Sequence, residues 1–572
     1  MSRSLCHVTM LRDSVVVAAW TCLVAAYYAS PFVRGPWEFI GAWDDSINFV
    51  DNALIQHPLS LASVGTMFQT VKINVYEPLA WLLKALVHSA FGMDSYAVRV
   101  ATLGIHLVNA TVLYATAARL LRMLHRPAPL GCFLGTLVYA VHPIHVEIVG
   151  WPSAQPYALA MLFTLLSFYT HLESVDATKS RRVWSSILSV GLYVCSVLSK
   201  SAAILAPVGI VAMDVVLATS HEKATHPPWR HKDLVRRWVR YGASQGGYVL
   251  AMAGLVSVTW HANADGAAVD SDIIHLTLSE RAMKVVFVLM WPIRMFLWPT
   301  CLRFHYQLPP SLHVLDNSLG LLSAAAVVAI TVACLSRARA GRLDGLAGWM
   351  FYIAMLLPVS GLVQHGLIVL AADRYAYFST IVVVGAIAAV FECVPRSHRR
   401  CAVGVCCVAA LSLAHVSVLQ LESWRTSESV FQHGRKADPT DWRILDRLHE
   451  LLLETRPTDA TLYLQQTLAY SPRRGLKAQL HVAKCYMLLG QTNDACAIYA
   501  ALYVDHPTYA HVLNNMGVCA WKHGRLRAAR DYFVEAATHG TGLTRGDTSP
   551  QTNLALVDEW NPRTRIVARI MW

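Results

Sequence analysis

The chain has 572 residues, of which 55% are hydrophobic and 15% are charged, and its formal net charge is +12. This is more apolar surface than a soluble core of this length needs, so the composition predicts a multi-pass membrane protein. The Lys and Arg residues lie in short clusters between apolar runs, which argues against nucleic-acid binding. The cysteines follow neither zinc nor disulfide spacing and assign no metal site.

Apolar stretches long enough to cross the hydrocarbon core as helices, about 17 to 25 residues, occur about eleven times. They are 14–30, 97–118, 130–147, 156–173, 184–199, 201–218, 243–261, 319–336, 346–364, 375–394 and 402–420. The segment 284–300, with Arg294 in its middle, is predicted to lie along the outer interface or to re-enter the membrane. Arg3 and Arg12 before the first run predict an uncleaved signal anchor with a cytosolic N-terminus.

Basic clusters set the predicted orientation. If each span reverses sides from a cytosolic N-terminus, these clusters fall in the cytosol, as the positive-inside rule requires. They are Arg119/Arg122/Arg126, Lys179/Arg181/Arg182, Arg230 to Arg240, Arg337/Arg339/Arg342 and Arg396/Arg399/Arg400, while the acidic loop Asp265/Asp270/Asp272 falls outside.

The same topology brings separated groups of ionisable residues to the outer face. They are Asp44 with Asp45, His142 with His145 and Glu147, Lys200, and Asp373 with Arg374. Charged groups at membrane depth are costly, so their gathering on one side predicts a functional site. A carboxylate pair and inward-pointing cations at the outer surface suit an anionic, lipid-linked donor and an acceptor from the water side.

A soluble region is predicted from about Ser423, where the composition becomes mixed. Ala483, Tyr486, Gly490, Ala495 and Tyr499 recur as Gly517, Ala520, Gly524, Ala529 and Phe533, a period of 34 residues from 483 to 517. This is tetratricopeptide spacing, with ordinary helical hairpins as the alternative. The predicted fold is therefore all-α, with a membrane helix bundle over 1–422 and a tetratricopeptide-like α-solenoid on the outer side over 423–572.

Short motifs then match a known family in order. They are Trp43-Asp44-Asp45-Ser46 with Asp51-Asn52, Tyr76-Glu77-Pro78-Leu79 with Phe91-Gly92-Met93-Asp94, His106-Leu107-Val108-Asn109, His142-Pro143-Ile144-His145-Val146-Glu147 with Trp151, Leu198-Ser199-Lys200, Ala372-Asp373-Arg374-Tyr375-Ala376-Tyr377, and Trp424-Arg425-Thr426-Ser427. Over nearly its whole length the chain resembles the transmembrane and tetratricopeptide-repeat-containing O-mannosyltransferases and their bacterial relatives.

The resemblance implies a GT-C type glycosyltransferase in the endoplasmic reticulum membrane, with a lumenal active site and lumenal repeats. Its donor would be dolichyl-phosphate mannose, and its acceptor Ser or Thr of a secretory-pathway protein, which the repeats would bind. Transfer needs a base and positive charge on the departing phosphate. Asp44 or Asp45 fits the base, the sequence leaving open which, while Lys200 and Arg374 fit the phosphate.

The other candidates have two readings each. Asp373 either pairs with Arg374 to fix its rotamer or neutralises it near lipid. His142, His145 and Glu147 are expected to act by hydrogen bonds within the bundle and toward the donor rather than as ligands of a divalent metal. No cofactor is expected beyond the lipid-linked donor.

One segment departs from the family. After Trp151 the family usually has an Arg-Lys-Asp or Arg-Lys-Glu run, whereas this chain has Ser153-Ala154-Gln155-Pro156-Tyr157. Either Lys200 and Arg374 hold the phosphate without those cations, or the donor differs, or catalysis has been lost. The last reading defines the main alternative, an inactive membrane scaffold whose repeats recruit clients. A transporter is a second alternative, but the spans show no repeated halves.

Overall fold

The fold is described from a computed structural model. It covers residues 24, 31–32, 36–72, 75–222, 245–262, 276–309, 311–312, 318–363, 369–472, 476–538, 540 and 549–558. Within these ranges the chain is helical, and extended pairing is limited to two isolated bridges, Lys72 with Val75 and Tyr306 with Ala371. The predicted all-α class is confirmed.

Two compact units divide the described chain. The first, the membrane unit, ends at Ala437, and the second, the repeat unit, begins at Asp438. The sequence-based boundary, between 422 and 423, stays a prediction about domains.

Six helices of the membrane unit have the length and composition of membrane spans, and two bent helix pairs raise the number to as many as eight. The six are Ser95–Met123, Pro152–Asp176, Ser180–Ser199, Ser201–Thr219, Ser318–Arg339 and Arg396–Glu422. Each coincides with an apolar run predicted from the sequence, because a run of this length satisfies its backbone hydrogen bonds only as a helix in lipid. The protein is therefore a multi-pass membrane protein.

The two bent pairs interrupt predicted spans. Pro129–Val141 and Pro143–Gly150 meet at 52°, and Asp373–Ser379 and Val382–Cys393 meet at 57°. The first helix ends at Val141 because Pro143 has no N–H to continue it. His142 caps the break, its side chain accepting a hydrogen bond from the Ile144 N–H at 3.2 Å. The helix therefore breaks at His142-Pro143, as a proline at this position predicts.

The remaining predicted spans are less complete. The run 14–30 lies almost wholly outside the described residues, as do the basic cluster 230–240 and the acidic loop 265–272. Helices occupy 245–262 and Asp344–Leu356. The segment predicted to be interfacial begins with a capping box at Thr277 and forms one helix, Leu278–Leu297.

Small residues bring the helices close around the bends. A Cβ atom on Gly131 would lie 2.7 Å from the Ala388 Cα, and one on Gly135 would lie 2.8 Å from the Val384 Cα. The helices Pro129–Val141 and Val382–Cys393 therefore touch along a seam that larger residues would separate.

Before the first described span, a short π-helical turn at Ser46–Val50 is followed by the helices Ala53–Gln56, Leu61–Gln69 and Pro78–Phe91. Phe49, Ile55, Met67 and Trp81 are buried together and hold these elements as one small core. This core carries the Asp44-Asp45 pair at its edge.

The repeat unit consists of helices packed in sequence: Trp442–Leu452, Pro457–Tyr470, Leu476–Leu488, Thr492–Asp505, Ala510–Lys522, Leu526–Thr538 and Ser549–Asp558. Gly490 and Gly524 end the first helices of two pairs at positive φ, 76° and 73°, where other residues are strained. A Cβ atom on Gly517 would lie 2.5 Å from the Phe533 ring, so the periodic small residue and aromatic meet as neighbours in the core.

A disulfide joins Cys496 of one helix to Cys519 of the next. The expectation that the cysteines follow no disulfide spacing was therefore wrong for this pair. The two residues are 23 positions apart and lie on adjacent helices, an arrangement that only the fold brings together.

Candidate functional site

The Asp45 carboxylate is completely buried, and both of its oxygens accept hydrogen bonds. Its Oδ2 accepts the Ile40 N–H at 2.7 Å, and its Oδ1 accepts the Ser153 N–H at 3.0 Å together with the Ser153 hydroxyl. Burial raises the pKa of Asp45 to about 6, against the lowering effect of the bonds from Ser153 and Ile40. Asp45 thus ties the first loop to the segment that follows Trp151.

Asp44 differs from its neighbour in exposure. It is half-buried, whereas Asp45 is fully buried. The structure thus distinguishes the two carboxylates by their exposure, a distinction that the sequence left open.

Ser153 connects the loop to a buried lysine. The Asn48 Nδ2 donates to the Ser153 Oγ at 3.1 Å, and the Lys84 Nζ donates to the Asn48 Oδ1 at 3.1 Å. The Lys84 ammonium also lies 4.2 Å from the Trp81 ring centroid and 4.9 Å from that of Phe49. Ser153, in the segment that lacks the expected cations, therefore links Asp45 to Lys84 through side-chain hydrogen bonds.

Lys200 forms an ion pair with Glu77. It lies at the C-cap of the helix Lys179–Ser199, while Glu77 precedes the helix Pro78–Phe91. The Glu77 side chain is 4% exposed and that of Lys200 is 18% exposed, so the cation is the accessible member of the pair. The Lys200 Nζ also lies 5.2 Å from the Tyr157 ring centroid.

Arg374 is held in the same manner by Glu147. The guanidinium pairs with the Glu147 Oε1, and the Arg374 backbone N–H donates to Oε2 at 2.7 Å. Again the cation is the more accessible partner, at 17% against 2%. The Arg374 guanidinium also lies 5.1 Å from the ring centroids of both Trp151 and Tyr375.

Asp373 does not pair with Arg374 as one of the two readings expected. Its Oδ1 accepts the Tyr306 hydroxyl proton at 2.8 Å, and it is buried. The partner of Arg374 is Glu147 because the helical turn Asp373–Tyr375 directs neighbouring side chains apart. Asp373 therefore lies beneath the site and fixes Tyr306.

Both predicted histidines make hydrogen bonds inside the bundle. His145 uses both ring nitrogens, Nδ1 on the Tyr139 carbonyl at 2.8 Å and Nε2 on the Thr380 Oγ1 at 2.9 Å. His142 bonds the Phe296 carbonyl through Nε2 at 2.9 Å and stacks on the Phe296 ring. Among the residues that the structure describes, no group of three His, Cys, Asp or Glu side chains is arranged to hold a metal ion.

Arg99 is a buried cation that the sequence analysis did not single out. Its guanidinium donates to the Gly150 carbonyl at 2.7 Å, the Ser95 carbonyl at 3.2 Å, the Glu38 carbonyl at 2.8 Å and the Trp424 carbonyl at 3.1 Å. Besides its own helix, three separate segments of the membrane unit converge on this side chain. Its partners are backbone carbonyl oxygens, so the types of residue in the sequence could not predict these hydrogen bonds.

The charged groups influence one another across the site. Arg374 and Lys200 interact electrostatically, and Tyr157 interacts with both. Lys84 interacts in turn with Glu77, Lys200 and Asp45. The site therefore contains two accessible cations backed by buried carboxylates, and a half-buried carboxylate on the loop that Asp45 fixes. The two cations are able to bind a phosphate, and a half-buried carboxylate is able to accept a proton.

The fold and site define an all-helical, multi-pass membrane protein with ionisable residues gathered beside the ends of its spans. No protein-family model matches the chain, and no curated protein matches it. Among solved structures it is similar to the apo crystal structure of ArnT from Cupriavidus metallidurans, at 15% identity and a TM-score of 0.36, over 86% of this chain and 80% of that chain.

Proposed function

We propose that the chain is a GT-C type glycosyltransferase that moves mannose from dolichyl-phosphate mannose to Ser or Thr of a secretory-pathway protein. In this reaction the acceptor oxygen bonds to the anomeric carbon while the bond from that carbon to the phosphate breaks. The acceptor proton passes to a carboxylate, and the electron pair leaves with the phosphate. The motif resemblance and the gathered charges both support this assignment.

The observation that carries the proposal is the pairing of Arg374 with Glu147 and of Lys200 with Glu77. Each carboxylate lies behind its cation and leaves the cation accessible. A phosphodiester needs donors that are already oriented, and these pairs supply a planar fork and a point charge. Arg374 makes no hydrogen bond from its remaining N–H groups to the described residues, so they are available to phosphate oxygens.

Asp44 is the proposed base. Asp45 already accepts three hydrogen bonds, from Ile40 and Ser153, and a carboxylate occupied in this way is a poor proton acceptor. Asp44 shares the fixed loop and is more exposed. Asp45 then has the role of orienting the loop, as one of the two sequence-based alternatives expects.

The proposed location of the repeat unit is the lumen of the endoplasmic reticulum. The Cys496–Cys519 disulfide supports this because such bonds persist in the secretory pathway and are rare in the cytosol. The candidate residues lie next to apolar spans, which supports a lipid-linked donor. The repeats are proposed to bind the acceptor protein.

A catalytically inactive scaffold is the second candidate, favoured by the absence of cations in Ser153–Tyr157. The two functions are separated by assaying the purified full-length chain with polyprenyl-phosphate mannose, glucose and arabinose and a panel of peptide and protein acceptors. Transfer of mannose with inversion at the anomeric carbon, lost in Asp44→Asn, supports the enzyme. Absence of transfer with every donor, by protein that still binds a client through its repeats, supports the scaffold.

A further inference from the structure

Lys84 is the only charged residue of the helix Pro78–Phe91 and is 1% exposed. Within the part of the chain that the structure describes, it forms no ion pair with a carboxylate. Its charge is balanced by the faces of Trp81 and Phe49 and by one hydrogen bond to Asn48. A buried ammonium without an anionic partner is costly, and neither the proposed phosphate site nor the proposed base uses it directly.

The direction of each hydrogen bond between Lys84, Asn48, Ser153 and Asp45 follows from the chemistry of these side chains. An ammonium only donates, so the Asn48 oxygen must face Lys84 and the Asn48 amide N–H must face Ser153. The Ser153 Oγ then accepts from Asn48, and its own proton goes to the Asp45 Oδ1. Every donor points from the ammonium toward the carboxylate, an order in which each bond strengthens the next.

We propose that Lys84 is a positioning residue that fixes the Asp44-Asp45 loop through Asn48 and Ser153. This inference rests on the proposed glycosyltransferase function for its catalytic consequence. The segment Ser153–Tyr157 contains no charged residue of its own. Lys84, on another helix, is connected to that segment through Asn48, and the rings of Trp81 and Phe49 keep the ammonium in place.

The series of hydrogen bonds Lys84–Asn48–Ser153–Asp45, called the relay below, depends on protonation of Lys84. Burial lowers the pKa of Lys84 to about 7, which Glu77 and Asp45 oppose and which Lys200 and Lys72 favour. Below that pH the ammonium donates to Asn48, and above it the neutral amine allows the Asn48 amide to turn. The loop is therefore expected to be most ordered between about pH 6, below which Asp45 becomes protonated, and about pH 7, and to loosen at higher pH.

The test compares Lys84→Met, Lys84→Arg and Ser153→Ala with the wild type in steady-state transfer from dolichyl-phosphate mannose to a Ser/Thr peptide between pH 5.5 and 9. Met keeps the bulk between the two rings and removes the charge. Lys84→Met is expected to lower kcat about thirtyfold and to change the donor KM less than twofold, because Lys84 does not touch the donor. Lys84→Arg is expected to remove the loss of kcat above about pH 7, since a guanidinium stays charged.

Two further measurements separate positioning from general damage. The double variant Lys84→Met with Ser153→Ala is expected to be no more than about twofold slower than the slower single variant, because both changes break one relay. Lys436→Met is the matched control: this lysine is exposed in the last turn of the helix Ser427–Ala437 and makes none of the hydrogen bonds between Lys84 and Asp45, so kcat is expected to stay within about twofold of wild type.

Hydrogen–deuterium exchange provides a readout that is independent of turnover. Lys84→Met is expected to increase exchange in residues 40–52 and at Ser153, whereas Lys436→Met leaves both unchanged. If exchange in Lys84→Met is the same as in the wild type, the proposed positioning role is wrong. It is also wrong if Lys84→Arg still loses kcat above about pH 7. If the wild type transfers no sugar from any donor, the proposed function fails while increased exchange still supports the positioning of the loop.

Discussion

Glu147 holds Arg374 by two different groups of the same residue, the backbone N–H at 2.7 Å and the guanidinium. One carboxylate therefore fixes both the start of the helical turn Asp373–Tyr375 and the side chain that leaves it. The orientation of the guanidinium is set before any ligand arrives. Such preorganised charge is what stabilises a departing phosphate.

Replacing Arg374 with Lys should weaken donor binding while retaining the charge. Lysine lacks the planar fork, so we expect the KM for dolichyl-phosphate mannose to rise about tenfold, roughly 1.4 kcal/mol. Initial rates at varied donor concentration measure this. Arg399→Lys is the matched control, because Arg399 pairs with the exposed Glu392 at 3.4 Å. An unchanged KM in Arg374→Lys would remove Arg374 from the phosphate site.

Substitution of Asp44 and of Asp45 should have different effects on turnover and stability. Asp44→Asn is expected to lower kcat at least about a hundredfold with little change in melting temperature, because it removes a base. Asp45→Asn is expected to lower the melting temperature, since its amide N–H₂ would face the N–H of Ile40 or the donors of Ser153, a conflict of roughly 1 to 3 kcal/mol. Full turnover in the double variant would contradict the proposed site.

The disulfide of the repeat unit should form in cells and stabilise that unit. Cys496→Ser and Cys519→Ser are expected to cost about 2 to 4 kcal/mol of unfolding free energy. Thermal unfolding of the purified chain measures the loss, with Cys301→Ser, an exposed free cysteine, as the control. If both thiols react with maleimide in freshly isolated membranes before reduction, the repeats do not lie in an oxidising compartment.

The predicted orientation is open to direct labelling. Tags at Gly266 and Gly540 are expected to report the lumenal side, and a tag at His231 the cytosol, because the basic clusters favour the cytosolic face. Protease protection or glycosylation of the tags provides the readout. A cytosolic Gly540 would invert the proposed topology.

Removing the repeats should separate chemistry from client selection. The helix Ser427–Ala437 belongs to the membrane unit: His433 bonds the Leu302 carbonyl at 2.9 Å, and Phe431 packs on Phe304. Truncation after Ala437 is therefore expected to retain transfer to a short peptide within about threefold and to impair transfer to a folded client.

Truncation after Leu421 serves as the comparison. It removes the helix Ser427–Ala437 and is expected to impair both reactions. Equal loss with peptide and folded client, in a folded protein truncated after Ala437, would mean that the repeats complete the active site.

Sequence predicted most of the architecture because lipid imposes a length on apolar helices, and Pro143 imposes a break. It did not predict which carboxylate holds Arg374. Asp373 is adjacent in sequence, but a helical turn points neighbours apart, and Glu147 comes from another bent pair. Lys84 had a visible signal, a lone charge in an apolar helix, whereas its bond to Asn48 required the folded loop.

The sequence also could not predict the different environments of Asp44 and Asp45. Only the positions of the Ile40 and Ser153 donors distinguish the two carboxylates, and Ser153 lies far along the chain. The Cys496–Cys519 pair likewise depends on the packing of adjacent helices rather than on spacing.

The carbonyls around Arg99 carry a consequence for synthesis. A nascent chain that has emerged only as far as Gly150 offers this guanidinium some of its acceptors, while the Trp424 carbonyl becomes available after the last span has been made. Until then this buried charge lacks one of its hydrogen bonds, so we expect the N-terminal end of the helix Ser95–Met123 to complete its packing late. Closure of the membrane unit around Arg99 therefore requires the chain as far as Trp424.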